Sequence, residues 1–320
     1  MTFGDELQRH FGADRIAEHA ALAPLTTFRV GGAADWLLEA RTSDEIVLAL
    51  NFARERGVPV TVLGGGSNVL IADAGVRGLI VRPRRGEIHQ LDEQRVRADA
   101  AVTINGLVRW LIGHAAAGLE AWAGTPGTVG GAVYGNAHFG GRLIGDHLTE
   151  ARLVGIDGHV IDVRVESMGF GYDRSRLQGS GEVLLSAVFR VRRGDPVAMR
   201  AVARESLAFR KRTQPLDTPS AGCIFQNPDP THEPLPDGVP ASAGALVDRA
   251  GLKGASIGGA RVSLAHGNFI VNDGSASAAD IRQLIEQCRQ TVRERFGVEL
   301  REEIVYIGEW TTTKPHDQRP

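Results

Sequence analysis

Three consecutive glycines, Gly64-Gly65-Gly66, follow the apolar run 58–63. That run reads as a short buried strand. A strand ending in three glycines presents successive backbone N–H groups with no side chain in the way, a nest suited to phosphate or pyrophosphate. Ser67 and Asn68 follow and add hydroxyl and amide donors. The stretch is neither the G-x-G-x-x-G fingerprint nor a Walker loop, which needs a lysine. Taken alone it reads equally well as a glycine-rich turn. A second cluster, Gly124-Thr125-Pro126-Gly127-Thr128-Val129-Gly130-Gly131, lies about sixty residues further on, after an apolar helical pattern. Two such nests suit one long ligand with two phosphates, such as a dinucleotide. In all, 40 of 320 residues are glycine, against ~7% on average. They are not periodic, which excludes collagen-like and low-complexity chains.

Composition narrows the class further. Apolar residues make up 42% and charged residues 23%, as in soluble globular chains. The 36 Lys and Arg balance 38 Asp and Glu, so the broad basic footprint of a nucleic-acid binder is missing. No apolar run approaches the ~20 residues that span a bilayer, and the acidic start of the chain lacks a signal-peptide pattern. The two cysteines, Cys223 and Cys288, make neither a disulfide framework nor, by themselves, a zinc site. The expectation is a soluble cytoplasmic chain with no resident metal and no nucleic-acid or membrane partner.

Local patterns predict a helix over 42–57, with a Thr42/Glu45 capping box, Gly57 as its stop, and Ile46, Leu48, Ala49, Phe52 and Ala53 as its buried stripe. Strands are expected at 58–63 and 79–81. A helix is expected over 103–118, with Ile104, Leu107, Val108, Leu111 and Ile112 on one face. Residues 151–193 read as β-rich, with Asp157-Gly158 as a turn. A helix over 197–210 precedes a proline-rich loop, 226–241. A long helix over 278–296 starts at Ser277 and stops at Gly297, and its stripe includes Cys288, read as a buried hydrophobe. A final strand covers 304–307.

Six motifs in order carry a resemblance. Thr26-Thr27-Phe28-Arg29-Val30-Gly31-Gly32, the 64–68 nest, and the 125–131 nest with Gly135-Asn136-Ala137 come first. Pro219-Ser220-Ala221-Gly222-Cys223-Ile224-Phe225-Gln226-Asn227-Pro228 follows. Then come Ser242-Ala243-Gly244 with Ala250-Gly251-Leu252-Lys253-Gly254, and Val262-Ser263 with His266 and Asn268-Phe269-Ile270-Val271-Asn272. From about 25 to 308 the chain resembles the UDP-N-acetylenolpyruvoylglucosamine reductases, the MurB family, in the branch without the extra substrate-covering loop.

The resemblance implies an α+β fold. A two-subdomain FAD-binding unit of the vanillyl-alcohol-oxidase type would cover 25–195, divided near 85/86, after an N-terminal segment 1–24. A smaller substrate-binding domain would occupy 196–320. It implies a monomeric enzyme with non-covalent FAD and NADPH as hydride donor. The substrate would be a sugar nucleotide, UDP-N-acetylglucosamine enolpyruvate, reduced to the peptidoglycan precursor UDP-N-acetylmuramate. A related FAD-dependent oxidase and an inactive sugar-nucleotide binder are the alternatives.

The implied cofactor site comprises Gly64, Gly65, Gly66, Ser67, Asn68, Thr125, Pro126, Gly127 and Gly130. The implied catalytic residues are Cys223, Arg174 and Glu303. Hydride addition to the enol ether builds enolate-like charge, which needs a cation beside it and a proton donor over the neighbouring carbon. Cys223 stands where the family loop usually carries serine as donor, and a thiol there is oxidisable and alkylatable. The family pattern Tyr-Arg-x-Ser becomes Tyr172-Asp173-Arg174-Ser175-Arg176. Aspartate holds the arginine place, and Arg174, with Arg176 as substitute, is expected to serve instead. Glu303 aligns with the family's assisting glutamate. Tyr172, Lys211, Asn227 and Lys253 are implied substrate contacts, and His138 departs from a smaller family residue.

Overall fold

The computed structural model describes residues 2–231, 233 and 235–310. Three larger apolar cores and a small fourth one, built from Leu22, Ala34, Leu63, Ile71, Val76 and Ile80, organise them. The first lies between a four-stranded sheet and two helices. Strands Ile16–Ala21, Ala33–Ala40, Val76–Pro83 and Val60–Val62 pair in that order, the last two junctions parallel. Helix Ser43–Glu55 covers this sheet. Its Thr42 hydroxyl accepts from Glu45 N–H at 3.1 Å, but the Glu45 carboxylate reaches Arg41 N–H rather than closing the box on Thr42. Ile46, Ala49, Phe52 and Ala53 are buried as expected, whereas Leu48 is exposed. Residues 2–21 belong to this layer. Helix Phe3–Phe11 buries Leu7 and Phe11 in its core, and Ile16–Ala21 supplies the edge strand.

The second core fills a five-stranded antiparallel sheet, ordered Val160–Arg164, Leu148–Val154, Val183–Arg190, Arg95–Asp99 and Ile88–Gln90. Helix Ile104–Gly113 buries all five apolar residues expected of it. Helix Pro196–Thr213 also joins this core, through Met199 and Ala203. Apolar side chains of this helix, which follows the expected boundary at 195/196, thus pack backward onto the five-stranded sheet's core.

The third core belongs to the C-terminal half. Strands Ser256–Ile257, Ala260–Val262 and Ile270–Asn272 pack under helix Ala278–Phe296, which buries Ile281, Leu284, Ile285, Cys288 and Val292. Truncating Leu284 to alanine costs about 2–5 kcal/mol. Ser277 and Asp280 form a complete capping box, and Gly297 ends the helix at φ +70°. The helix N-terminus is also held from the other half: Asp73 accepts from Ala278 and Ala279 N–H at 2.8 and 2.9 Å. The chain then returns, and Val305–Ile307 pairs in parallel with Val69–Ile71. The last strand therefore lies against the first half, not within a separate 196–320 unit. Among the described residues no helix is long and apolar enough to cross a membrane.

Candidate active site

A cavity of ≈ 2050 Å³ opens where the three cores meet. It exceeds the ~300–1,000 Å³ of a usual small-ligand pocket, room for a dinucleotide and a second ligand together. Gly64 to Asn68, Thr125, Pro126, Gly127 and Gly130 all line it. The N–H groups of Gly65, Gly66 and Ser67 meet no acceptor among the described residues, and Gly66 sits at φ +63°. Such unpaired donors, free of side chains, fit a phosphate group. The glycines also serve packing. A Cβ on Gly64 would lie 2.7 Å from Thr128 Oγ1, and one on Gly65 would lie 2.6 Å from Gly127 Cα. The two loops touch each other as one platform, so Gly65 is required by the neighbouring loop as well as by any ligand.

Asn68 plays a different part from the donor role expected of it. Its amide donates to Glu303 O at 3.0 Å, and its own carbonyl accepts from Val305 N–H at 3.0 Å. On the other side Glu303 N–H donates to Ile224 O at 2.8 Å, and Gln226 N–H donates to Arg301 O at 2.8 Å. Asn268 completes the clamp: Phe225 N–H donates to its Oδ1 at 2.9 Å, and its Nδ2 donates to Phe225 O at 2.7 Å. These bonds bring Cys223 and Glu303 to one wall of the cavity although 80 residues separate them in the chain.

Burial pushes the Glu303 carboxyl up to about 8, helped by the Asp173 charge and opposed by His138. Burial likewise pushes the Cys223 thiol far up, with Glu303 and Asp173 adding to it and Arg210 opposing. The thiol is therefore neutral at working pH. That suits a proton donor and argues for slow alkylation at neutral pH, since the thiolate is the reactive form.

The 171–176 turn overturns the arginine expectation. Gly171 and Arg174 exchange backbone hydrogen bonds of 3.0 and 3.2 Å, and Asp173 adopts φ +51°, a left-handed conformation aspartate tolerates. This reversal turns Asp173 into the cavity wall and leaves Arg174 exposed outside it. Arg176 is equally unavailable, since it grips Glu182 through two bonds of 2.7 and 2.6 Å.

His138, left without a role by the sequence, meets Asp173: Nδ1 lies 2.8 Å from Asp173 Oδ1. That hydrogen bond raises the imidazole pKa, against the opposing effect of burial. His138, Asp173 and Glu303 each present a donor atom within 4.8 Å of the others. A divalent cation there would compete for the atoms the His–Asp pair already uses. Tyr172 Oη lies 3.4 Å from His138 Nε2 and accepts from Asn227 Nδ2 at 3.4 Å. Tyr172 thus touches two lining residues.

Lys211 and Lys253 are not part of the wall. Lys211 is exposed on its helix, and Lys253 pairs with Asp248 at 2.8 Å. The cation that this helix turns inward is Arg210, one residue before Lys211 and so about 100° around the helix. It is buried, donates to Thr125 Oγ1 at 2.8 Å, and stacks 3.9 Å over the Phe139 ring. Burial lowers it to about 10, still charged at neutral pH. Helical phase around Met199, Ala203 and Ser206, all buried, was the signal that favours position 210 over 211.

Two protein-family models match the chain: an FAD binding domain over residues 34–164, and the C-terminal domain of UDP-N-acetylenolpyruvoylglucosamine reductase over 214–307. The reductase of that name from Trichormus variabilis is 39% identical over 92% of this chain and 87% of its own. The chain belongs to the UDP-N-acetylenolpyruvoylglucosamine reductase family. The reductase from Bacillus velezensis is 37% identical over 92% of this chain and 94% of its own. The crystal structure of the reductase from Thermus caldophilus matches with a TM-score of 0.74 at 32% identity, covering 91% of this chain and 98% of that one. The second family model begins at 214, next to the point where helix Pro196–Thr213 ends.

Proposed function

We propose that this member of the reductase family reduces UDP-N-acetylglucosamine enolpyruvate to UDP-N-acetylmuramate, with NADPH as donor and non-covalently held FAD as carrier, in the cytoplasm and as a monomer. When bound, FAD supplies the hydride that adds to the enolpyruvyl methylene carbon. The glycine platform would hold its pyrophosphate, with Gly65, Gly66 and Ser67 N–H groups as donors and Arg210 adding charge beside Thr125.

The observation that carries this reading is the convergence of Cys223 and Glu303 on the cavity that the glycine loops line. Hydride addition leaves the neighbouring carbon in need of a proton, and a buried neutral thiol is built to give one. Glu303, with its carboxyl pushed up to about 8, is mostly protonated at neutral pH and adds little charge against the developing enolate. Together they act as a general acid and its support, an arrangement worth ~10²–10⁴-fold in rate. Asn227, fixed by its Oδ1 accepting from Ala243 N–H at 3.1 Å, faces the same space as a sugar or diphosphate contact.

Anaerobic stopped flow tests the proposal. NADPH should bleach the flavin of the purified protein, and the enolpyruvyl substrate should restore its colour. Flavin released by acid denaturation supports non-covalent binding. Reoxidation by oxygen faster than by the enolpyruvyl nucleotide would instead identify an oxidase, and a colourless protein would identify a binder.

A further inference from the structure

A reaction that gathers negative charge meets an acidic wall in this cavity. Asp173 and Glu303 both line it, and their carboxyl groups lie within 4.8 Å of the same imidazole. Two carboxylates alone would repel a ligand that carries one of its own. The arginines nearest in sequence do not help: Arg174 is exposed, and Arg176 is committed to Glu182. Arg210 lies against Thr125 and Phe139, on the glycine-loop side. The cation next to Asp173 and Glu303 is therefore His138.

We propose that His138, oriented by its hydrogen bond to Asp173, supplies the positive charge that receives the substrate's carboxylate. His138 would be a catalytic residue and Asp173 its positioning residue. The inference rests on the reductase reading above.

The geometry supports it on two counts. The Nδ1 atom is fixed by Asp173 at 2.8 Å, so Nε2 is the nitrogen left to the ligand. Its present neighbour, Tyr172 Oη at 3.4 Å, is a long contact that a carboxylate can displace. The His138–Asp173 pair carries no net charge when the imidazole is protonated, so the wall does not repel the ligand as two bare carboxylates would.

Four groups face His138: Asp173, Glu303, Arg210 and Tyr172. A direct test uses two nucleotides that differ by a carboxylate, UDP-N-acetylmuramate and UDP-N-acetylglucosamine, titrated against the oxidised flavoprotein near pH 6. His138→Gln keeps size and hydrogen bonding but removes the charge. It should weaken UDP-N-acetylmuramate binding roughly ten- to a hundredfold, the range for a charged hydrogen bond, and leave UDP-N-acetylglucosamine within about twofold. In a Glu303→Gln background, the affinity for UDP-N-acetylmuramate should fall as pH rises past the raised imidazole pKa, and adding His138→Gln should abolish that fall. Asp173→Arg combined with His138→Gly should restore carboxylate selectivity without the pH dependence.

Unchanged UDP-N-acetylmuramate affinity in His138→Gln overturns the proposal. So does an equal loss of both nucleotides, because a charge role cannot act on the ligand without a carboxylate. If the wild-type flavoprotein binds neither nucleotide, the reductase reading itself fails. If it selects the carboxylate but His138→Gln does so equally, only this inference fails.

Discussion

Gly65 and Gly127 come from loops more than sixty residues apart, yet a Cβ on the first would lie 2.6 Å from the Cα of the second. The obstacle is backbone, which cannot swing aside as a flexible side chain can. Gly65→Val must therefore part the two loops. It should yield folded protein with little flavin, read as a low ratio of flavin to protein absorbance, because neither glycine contributes an apolar side chain to a core. Full flavin content in Gly65→Val would remove the glycine platform from the cofactor site.

Cys223 separates the two halves of the catalytic cycle. Cys223→Ala should be reduced by NADPH at a normal rate and lose ~10²–10⁴-fold in reoxidation by the enolpyruvyl substrate. Cys223→Ser should keep substantial activity. Because burial keeps the thiol neutral, iodoacetamide should inactivate the wild type only slowly at pH 7 and no faster than a typical buried thiol. Rapid inactivation at pH 7, absent in Cys223→Ser, would show a lowered pKa instead.

Arg174 and Arg176 should differ in kind. Arg174→Ala removes an exposed side chain and should change reoxidation by no more than about twofold. Arg176→Ala removes the partner of the buried Glu182 carboxylate and should lower stability by ~1–3 kcal/mol, seen as a lower urea midpoint. A large kinetic defect in Arg174→Ala with unaltered stability would mean that the 171–176 turn rearranges when substrate binds.

Glu303 links stability to pH. Its carboxyl is pushed up from near 4.5 to about 8 in the folded chain, so folding favours the protonated form. That contribution is complete below the unfolded value and is lost as pH rises through about 8. Glu303→Gln cannot ionise. Its Tm should match the wild type near pH 5 and exceed it by several °C near pH 9, at ~2–4 °C per kcal/mol for a chain of this size. Parallel Tm curves from pH 5 to 9 would refute the raised value.

Local chemistry was legible in the sequence. The cap at Ser277, the stop at Gly297 and the apolar stripe of helix Ile104–Gly113 depend on neighbours within a few residues and formed as read, whereas Thr42 caps its helix without closing the box on Glu45 and Leu48 stays exposed. The two glycine loops were legible as well, because a close backbone approach such as that of Gly65 to Gly127 leaves no room for a side chain. What lay beyond the sequence was which way a residue faces after a turn and what it meets across the fold. One left-handed residue, Asp173, decides that an aspartate and not an arginine enters the cavity. One helical step decides that Arg210 points inward and Lys211 outward. His138 acquires a partner 35 residues away only because strand His138–Phe139 and the 171–174 turn are folded onto one wall. The amide of Asn68, read as a cofactor donor, holds the strand that carries Glu303 instead. Local propensity acts over one turn of chain. The charge, burial and orientation of a side chain in a cavity are set by groups that the chain brings together only when it is folded.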